Sequence, residues 1–360
     1  MTPIRFGIVG CGSIGPTHAG ALGQIPSAKL VAVADVMKSR AVEMAGKFGV
    51  TKVYESDTAL IADPDVDAVI FCTPSGLHAE GAIKALKAGK HVVVEKPMEV
   101  SLAAADKIIA CQADTKRKFT VISQHRFDSA TMVVKDAIDS GKLGKIILAD
   151  ATVKWWRTQK YYDSGDWRGT WKYDGGGALM NQGVHTVDVL QWLVGGVSTI
   201  FAHTRTAAHE RIEVEDLAVA ALTFKNGAVG TLTATTAAFD GVPARIDIYG
   251  TEGSAILEGD VLKLLKFKNG ETFTGKSAAA HAISVAKGGT ASVKDEAASR
   301  SAASDPGAVW GDAHREQLKD FIRAIREEGT PLIDAAAGRK PLEIILGVYE
   351  SSRSGKLVTL

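Results

Sequence analysis

The sequence predicts an α/β chain in two parts: an N-terminal doubly wound domain, then an α+β domain with a large, mainly antiparallel open sheet. Three observations predict it. Short β-branched runs alternate with helix-patterned segments over the first third. Strand patterns then follow in close succession, joined by hairpin-like turns. Three glycines, Gly10, Gly12 and Gly15, sit where the first strand meets the first helix. The expected boundaries are residues 1–123 and 124–360.

In the first part IRFGIVG (4–10), AKLVAVAD (28–35), DAVIFCTP (67–74), KHVVVEKP (90–97) and KFTVISQH (118–125) read as strands. Each is nearly continuous in apolar residues and bounded by Gly, Pro or Asp, as strands buried on both faces must be. THAGALGQI (17–25), SRAVEMAGKFG (39–49), GLHAEGAIKALKAG (76–89) and SLAAADKIIACQADTK (101–116) carry helical spacing between them. The result is a repeated βαβ pattern.

Beyond residue 124 strands are expected at 144–156, 198–207, 216–224, 228–238, 245–250, 254–259 and 261–267. A turn at Lys225-Asn226-Gly227 joins two of them, and an apolar helix from Ala178 to Val194 should pack on the sheet. Residues 275–309 are rich in Ala, Ser, Gly and Lys with little periodicity; a loop of that length reads as a flexible flap. Amphipathic helices are expected over 312–328 and 342–355.

A net charge of +1 gives no reason to expect nucleic acid or a polybasic membrane contact. The three cysteines, Cys11, Cys72 and Cys111, form no CxxC pair, and no metal site is expected. No stretch approaches twenty apolar residues, and the N-terminus lacks a secretory core. A cytoplasmic protein is expected. The open sheet face of the second part invites a homodimer or homotetramer.

The GxGxxG spacing carries a mechanism in this setting, because it follows a strand and opens a helix. Gly10 permits the tight turn, Gly12 lets backbone approach a pyrophosphate, and Gly15 lets helix and strand pack closely. The N–H groups about Ser13 and Ile14 then face the phosphates. Asp35 ends the second strand, where an acid accepts ribose hydroxyls and repels a 2′-phosphate. NAD is therefore expected over NADP. Lys38 and Arg40, just beyond, read as solvated helix charges.

With CTPSGLHAEGAIKALKAGKHVVVEKP and GGGALMNQGVHTVDVLQWL added, the chain resembles the glucose-fructose oxidoreductase / inositol dehydrogenase / rhizopine-catabolism superfamily of NAD(P)-dependent dehydrogenases over nearly its whole length. The resemblance implies a Rossmann domain for NAD, a substrate and oligomerisation domain, and a sugar-like substrate. It implies that Thr73, Pro74 and His78 border the cofactor. It also implies that Glu95, Lys96 and Pro97 form a motif whose lysine faces substrate and nicotinamide across a cis Lys96–Pro97 bond. Trp167 and Arg168 match a pair that reaches the cofactor, and His185 matches the catalytic histidine. Many members carry Asp where this chain has Asn181, and Asn where it has Ser75. The Asn181–Gln182 pair is similar to a branch that oxidises nucleotide-sugar uronates and related glycosides at ring C3.

Alcohol oxidation needs a nicotinamide face against the C–H bond and a group that removes the O–H proton. Lys96 and His185 are the candidates, with Asn181, spaced i, i+4 from His185, expected on the same face to orient substrate or ring. A neutral Asn181 leaves His185 less basic than an Asp would. The stretch KWWRTQKYYDSGDWRGTWKY offers tyrosine and tryptophan faces for a sugar, Tyr162 among them. Arg157, Lys160 and Lys172 lie there for a carboxylate or phosphate; packing at a strand edge is the other reading. His314 falls where relatives place a substrate contact, or else on a helix surface. Asp188 reads as structural support.

The leading expectation is an NAD-dependent dehydrogenase of a secondary ring hydroxyl, on a sugar, sugar derivative or nucleotide sugar. An NAD-dependent glycosidase acting by transient C3 oxidation would release aglycone without net NADH. A non-catalytic dinucleotide or sugar sensor would bind without turnover.

Overall fold

Phe6 and Ile8, both 0% exposed, lie in the middle of a six-stranded parallel sheet in a computed structural model that describes residues 2–274, 303 and 311–360. The strands are β1 (Ile4–Val9), β2 (Ala28–Ala34), β3 (Lys52–Tyr54), β4 (Ala68–Phe71), β5 (His91–Val94) and β6 (Phe119–Val121). Their order, β3-β2-β1-β4-β5-β6, makes β1 and β4 the neighbours at the switch point of a doubly wound sheet. The connecting helices are α1 (Gly15–Gly23), α2 (Lys38–Phe48), α3 (Asp57–Ala62), α4 (His78–Lys87) and α5 (Leu102–Thr115). Pro16 sits in the first turn of α1, where its missing N–H costs nothing. Ser101 caps α5, its Oγ accepting from the Ala104 N–H at 3.2 Å. The sequence pattern does not reveal β3 or α3; β3 is a three-residue edge strand, too short to show a period.

A second sheet has nine strands: β7 (Ile146–Lys154), β8 (Val197–Arg205), β9 (Leu217–Phe224), β10 (Val229–Thr235), β11 (Arg245–Gly250), β12 (Gly253–Glu258), β13 (Val261–Phe267), β14 (Thr272–Thr274) and β15 (Val358–Thr359). Its order is β14-β13-β12-β11-β7-β10-β9-β8-β15. Every pairing is antiparallel except β10 on β7. The β9–β10 hairpin turns at Lys225–Gly227, with Gly227 at φ +87°. The helices α6 (Ser129–Asp139), α7 (Gln159–Tyr162) and α8 (Val184–Val194) belong to this part, and α8 packs on β7 and β11. Ala149, Ala151, Ala218, Ala220 and Ala234 fill buried inward positions of the sheet. On the outward positions Ile147, Phe201, Val219 and Val229 are exposed. Ala178–Gly183, expected as the first turns of α8, form a π-helical turn instead.

Two helices close the chain, α9 (Gly311–Arg326) and α10 (Ala335–Ser354). Leu318, Phe321 and Ile322 of α9 share the core of Phe6, Ile8 and Leu22, and α9 lies along α1. The described residues of Met1–Gln124 and Val309–Arg339 therefore form one compact unit, and those of His125–Ala308 and Lys340–Leu360 the other. A single cut between residues 123 and 124 misses this return, because it depends on which core the apolar face of α9 joins. Helix α10 starts seven residues before the expected 342, with Pro341 inside it. Among the described residues no helix is long and apolar enough to cross a membrane. The expected flap at 275–309 lies outside the described residues, Ala303 apart.

Candidate functional site

In the first unit, β1 runs into Gly10, which has φ +97° and donates its N–H to the Ala34 carbonyl at 2.8 Å. A Cβ at Gly10 would lie 2.6 Å from the Cys72 carbonyl oxygen, and one at Gly15 2.6 Å from the Gly10 carbonyl oxygen. A Cβ at Gly12 would meet nothing within 4 Å. The first and third glycines are thus required by neighbouring backbone, and the second faces open space. Ile14 sits at the start of α1 and accepts the Thr17 N–H, leaving the preceding Ser13 on the turn. The Asp35 carboxylate, at the end of β2, is held by the N–H groups of Cys11 and Met37, each at 2.8 Å. Lys38 is exposed and pairs with Glu55 at 2.7 Å, in keeping with a solvated charge.

The loop after β4 brings the Thr73 hydroxyl to a buried position where it has no hydrogen-bond partner among the described residues. Pro74 precedes a short 3-10 turn, Ser75–Leu77. His78 lies between the carbonyls of Thr73 (3.0 Å) and Pro97 (2.9 Å). Burial pulls its pKa down, so the neutral ring donates to one of them and holds the two loops together. The Lys96–Pro97 peptide is cis. Glu95 is buried; burial raises its pKa, but the hydrogen bond from His18 and the nearby His314 and Lys96 outweigh this and hold it at about 2. The surface reading of His314 is corrected. The ring is 1% exposed, with Nε2 3.9 Å from Glu95 Oε1, because this face of α9 turns into the unit's core.

In the second unit Gly176 and Gly177 open the π-turn under severe crowding. A Cβ at Gly176 would lie 2.1 Å from the Tyr349 hydroxyl, and one at Gly177 1.8 Å from the Glu215 carbonyl oxygen. The Glu215 carboxylate accepts from the N–H groups of Gly177 (2.9 Å) and Leu179 (2.8 Å) and from the Tyr349 hydroxyl (2.9 Å). Burial nonetheless pushes Glu215 up to about 7. Asp216, next in the chain, accepts from the backbone of Ala207, Ala208 and His209 and from the His209 ring. These contacts outweigh burial and hold its carboxyl well below the usual range. Nothing in the sequence pattern singles out this acidic pair.

Asn181 is tied into a polar chain. Its Nδ2 donates to Asp174 and its Oδ1 accepts from Gln182 Nε2 at 2.8 Å. Gln182 also donates to the Tyr161 hydroxyl (3.0 Å) and accepts from Arg157 Nη2 (2.9 Å). Arg157 is 3% exposed and gives its other Nη to the carbonyls of Trp156 and Ala303. It therefore braces this chain from within the fold. Arg168 donates to the Tyr161 hydroxyl at 2.8 Å and stacks on the rings of Tyr161 (4.4 Å) and Trp167 (4.5 Å). Tyr162 is buried and bonded to Thr236 at 2.8 Å, so its hydroxyl serves the fold.

His185, on α8, meets the ring of His125 edge to face, centroids 5.0 Å apart. Nδ1 of His125 faces Asp128 (2.7 Å) and Asp260 (3.0 Å). Burial opposes charge on this ring, but the two carboxylates outweigh it and push His125 up to about 10. Asp188, one turn beyond His185, is paired with Arg126 through both oxygens, at 2.5 and 2.8 Å. Among the described residues, two histidine–carboxylate sets have donor atoms within 4.8 Å of one another, as a metal ion would need: His18, Glu95 and His314, and His125, Asp128 and Asp260. The 2.6 and 2.7 Å contacts inside them are those of shared protons; nitrogen and oxygen ligands about a zinc-like ion stand roughly 3 Å apart or more.

Residues 4–123 match the oxidoreductase family with an NAD-binding Rossmann fold, and residues 131–256 match the GFO/IDH/MocA C-terminal domain. Myo-inositol 2-dehydrogenase of Thermotoga maritima is 33% identical over 69% of the chain and 74% of that protein. The scyllo-inositol 2-dehydrogenase (NAD(+)) of Bacillus subtilis is 28% identical over 99% and 96%. Among solved structures, the WlbA dehydrogenase from Bordetella pertussis, in complex with NADH and UDP-GlcNAcA, superposes with a TM-score of 0.85. It is 32% identical, covering 100% of this chain and 98% of that one.

Proposed function

Since the chain belongs to the GFO/IDH/MocA oxidoreductases with an NAD-binding Rossmann fold, and is on that ground an NAD-dependent dehydrogenase, we propose that its substrate is a nucleotide sugar bearing a carboxylate, oxidised at the ring C3 hydroxyl. The observation that carries the substrate class is the Asn181–Gln182–Tyr161–Arg168 chain. It offers a guanidinium stacked on two aromatic rings, a setting suited to an anionic sugar. The full-length likeness to a dehydrogenase solved with UDP-GlcNAcA supports the same class.

The dinucleotide turn fits NAD: Gly12 leaves room that a Cβ would fill, and the Thr73 hydroxyl is buried without a partner among the described residues. In this reading the turn Gly10–Gly15, with the N–H groups about Ser13 and Ile14, holds the pyrophosphate. Asp35 accepts ribose hydroxyls. Thr73, Pro74 and Glu95 line the cofactor side, with His78 bracing that loop; Trp167 and Arg168 match the family pair assigned to the cofactor. When bound, NAD supplies the hydride acceptor. His185 takes the hydroxyl proton, Lys96 donates to the same oxygen as negative charge builds on it, and Asn181 holds the amide chain that meets the sugar. A second copy of the chain covers the outward sheet face of Ile147, Phe201, Val219 and Val229.

A panel of UDP-linked sugars and uronates, free sugars and inositols, followed by NADH formation and by mass spectrometry, tests the proposal. A keto product confined to the uronates is expected. Turnover of inositols alone would refute the substrate class, and aglycone release without net NADH would point to the glycosidase chemistry.

A further inference from the structure

The Glu95 carboxylate joins three distant pieces of the first unit. Oε1 faces Nε2 of His18, on α1, at 2.6 Å, and Nε2 of His314, on α9, at 3.9 Å. The two rings meet edge to face with centroids 5.2 Å apart. Oε2 accepts the backbone N–H of Lys96 at 3.2 Å. The backbone N–H of Glu95 is itself fixed, donating to the Phe71 carbonyl of β4 at 3.0 Å.

His18 is 0% exposed, and its Nδ1 is buried without a hydrogen-bond partner among the described residues. A ring proton on Nε2 is therefore the one that finds an acceptor, the Glu95 carboxylate. The other titratable groups facing Glu95 are Cys72, at the end of β4, and His78, on α4. Burial keeps both uncharged, and the hydrogen bond from His18, with His314 and Lys96 nearby, holds Glu95 as a carboxylate. A buried carboxylate is costly unless paired, and apolar residues would fill the same volume without that cost. The arrangement therefore calls for a role beyond packing.

We propose that His18 is a positioning residue: by holding Glu95 in place it fixes the backbone of Lys96 and keeps a negative charge beside that lysine. The helix that opens at the dinucleotide turn thereby sets the geometry of the lysine assigned to the substrate. The inference rests on the reading of Lys96 given under the proposed function. A carboxylate one residue away favours the ammonium form of Lys96, which suits a hydrogen-bond donor to the reacting oxygen.

The test uses the full chain loaded with NAD. Reaction of Lys96 with a small amine-directed reagent is followed against pH by peptide mass spectrometry, a readout that needs no turnover. His18→Phe keeps a ring and removes the donor, whereas His18→Gln keeps an N–H at similar reach. His18→Phe should lower the Lys96 labelling midpoint by about one pH unit and kcat by about ten- to hundredfold. NAD affinity should stay within about threefold, and His18→Gln should recover most of both losses. An unchanged midpoint and kcat in His18→Phe, or a Gln variant as impaired as Phe, overturns the proposal. If His18→Phe does not fold, His18→Asn, whose shorter amide withdraws the donor, must show the same downward shift; no shift overturns it. If Lys96→Ala keeps kcat while His18→Phe still moves the midpoint, the catalytic reading of Lys96 falls and the His18–Glu95–Lys96 coupling stands.

Discussion

The side-chain amide of Asn181 donates to the buried carboxylate of Asp174 at 2.5 Å. A neutral residue at position 181 therefore does not leave this part of the site without negative charge; the carboxylate stands one hydrogen bond further back. Asp174 is 2% exposed, and its second oxygen accepts the Gly169 N–H at 2.9 Å.

The pair makes Asn181→Asp more than a change in the basicity of His185. It would set two carboxylates against each other in a buried place and remove the donor to Asp174. We expect a loss of about 1–3 kcal/mol, seen as a lower melting temperature, with kcat reduced as well. Asn181→Asp combined with Asp174→Asn restores a donor–acceptor pair and should recover most of the stability. An Asn181→Asp single variant as stable as wild type would show that the Asp174 contact carries little.

Lys96→Ala and His185→Ala should each lower kcat by about 10²- to 10⁴-fold, the range of a general acid or base, with NAD affinity nearly unchanged. The double variant should lose less than the product of the two if they serve one proton transfer. Steady-state kinetics on the substrate identified by the panel, with NAD titrations, decide this. Near-full kcat in His185→Ala would make the histidine a packing residue.

Glu215 links stability to pH in an uncommon direction. Its carboxyl is pushed from 4.5 up to about 7 by burial, so the folded protein holds a proton that the unfolded chain releases. Its contribution is present below pH 4.5 and is lost as pH rises toward about 7. The shift corresponds to roughly 3 kcal/mol. Melting temperature measured against pH should carry this falling component in wild type, and Glu215→Gln should flatten it. An identical slope in the two proteins would assign the pH dependence to other groups.

Asp35 should favour NAD over NADP, since its two oxygens are fixed at the end of β2 by the Cys11 and Met37 amides and repel a phosphate dianion. Asp35→Ser should narrow the ratio of kcat/KM values for the two cofactors. Better use of NADP than NAD by wild type would contradict the role given to this carboxylate.

Val219 tests the outward sheet face. It is 46% exposed and lies among the strands that also present Phe201, Val229 and Ile147. Val219→Glu puts a charge on that face without touching the inward core, and light scattering should report a smaller assembly. An unchanged mass would show that this face carries no subunit contact.

The sequence by itself determined what short-range chemistry dictates. Apolar runs bounded by Gly and Pro mark the parallel strands, because a strand covered on both faces has no polar positions to spare. Gly10 and Gly15 are needed because backbone oxygens stand 2.6 Å from where a Cβ would be, and the motif spacing announces that crowding. The Lys225–Gly227 turn and the helix carrying His185 are local in the same sense. The tertiary structure alone decided which distant groups meet. It brought α9 and His314 to Glu95, Glu215 and Tyr349 to the start of the π-turn, Asp260 to His125, and Asp174 to Asn181. It also paired β10 parallel with β7 inside an otherwise antiparallel sheet. Polar partners of this kind leave no periodic trace: each is one side chain, and burial sets its charge only once the chain has closed around it.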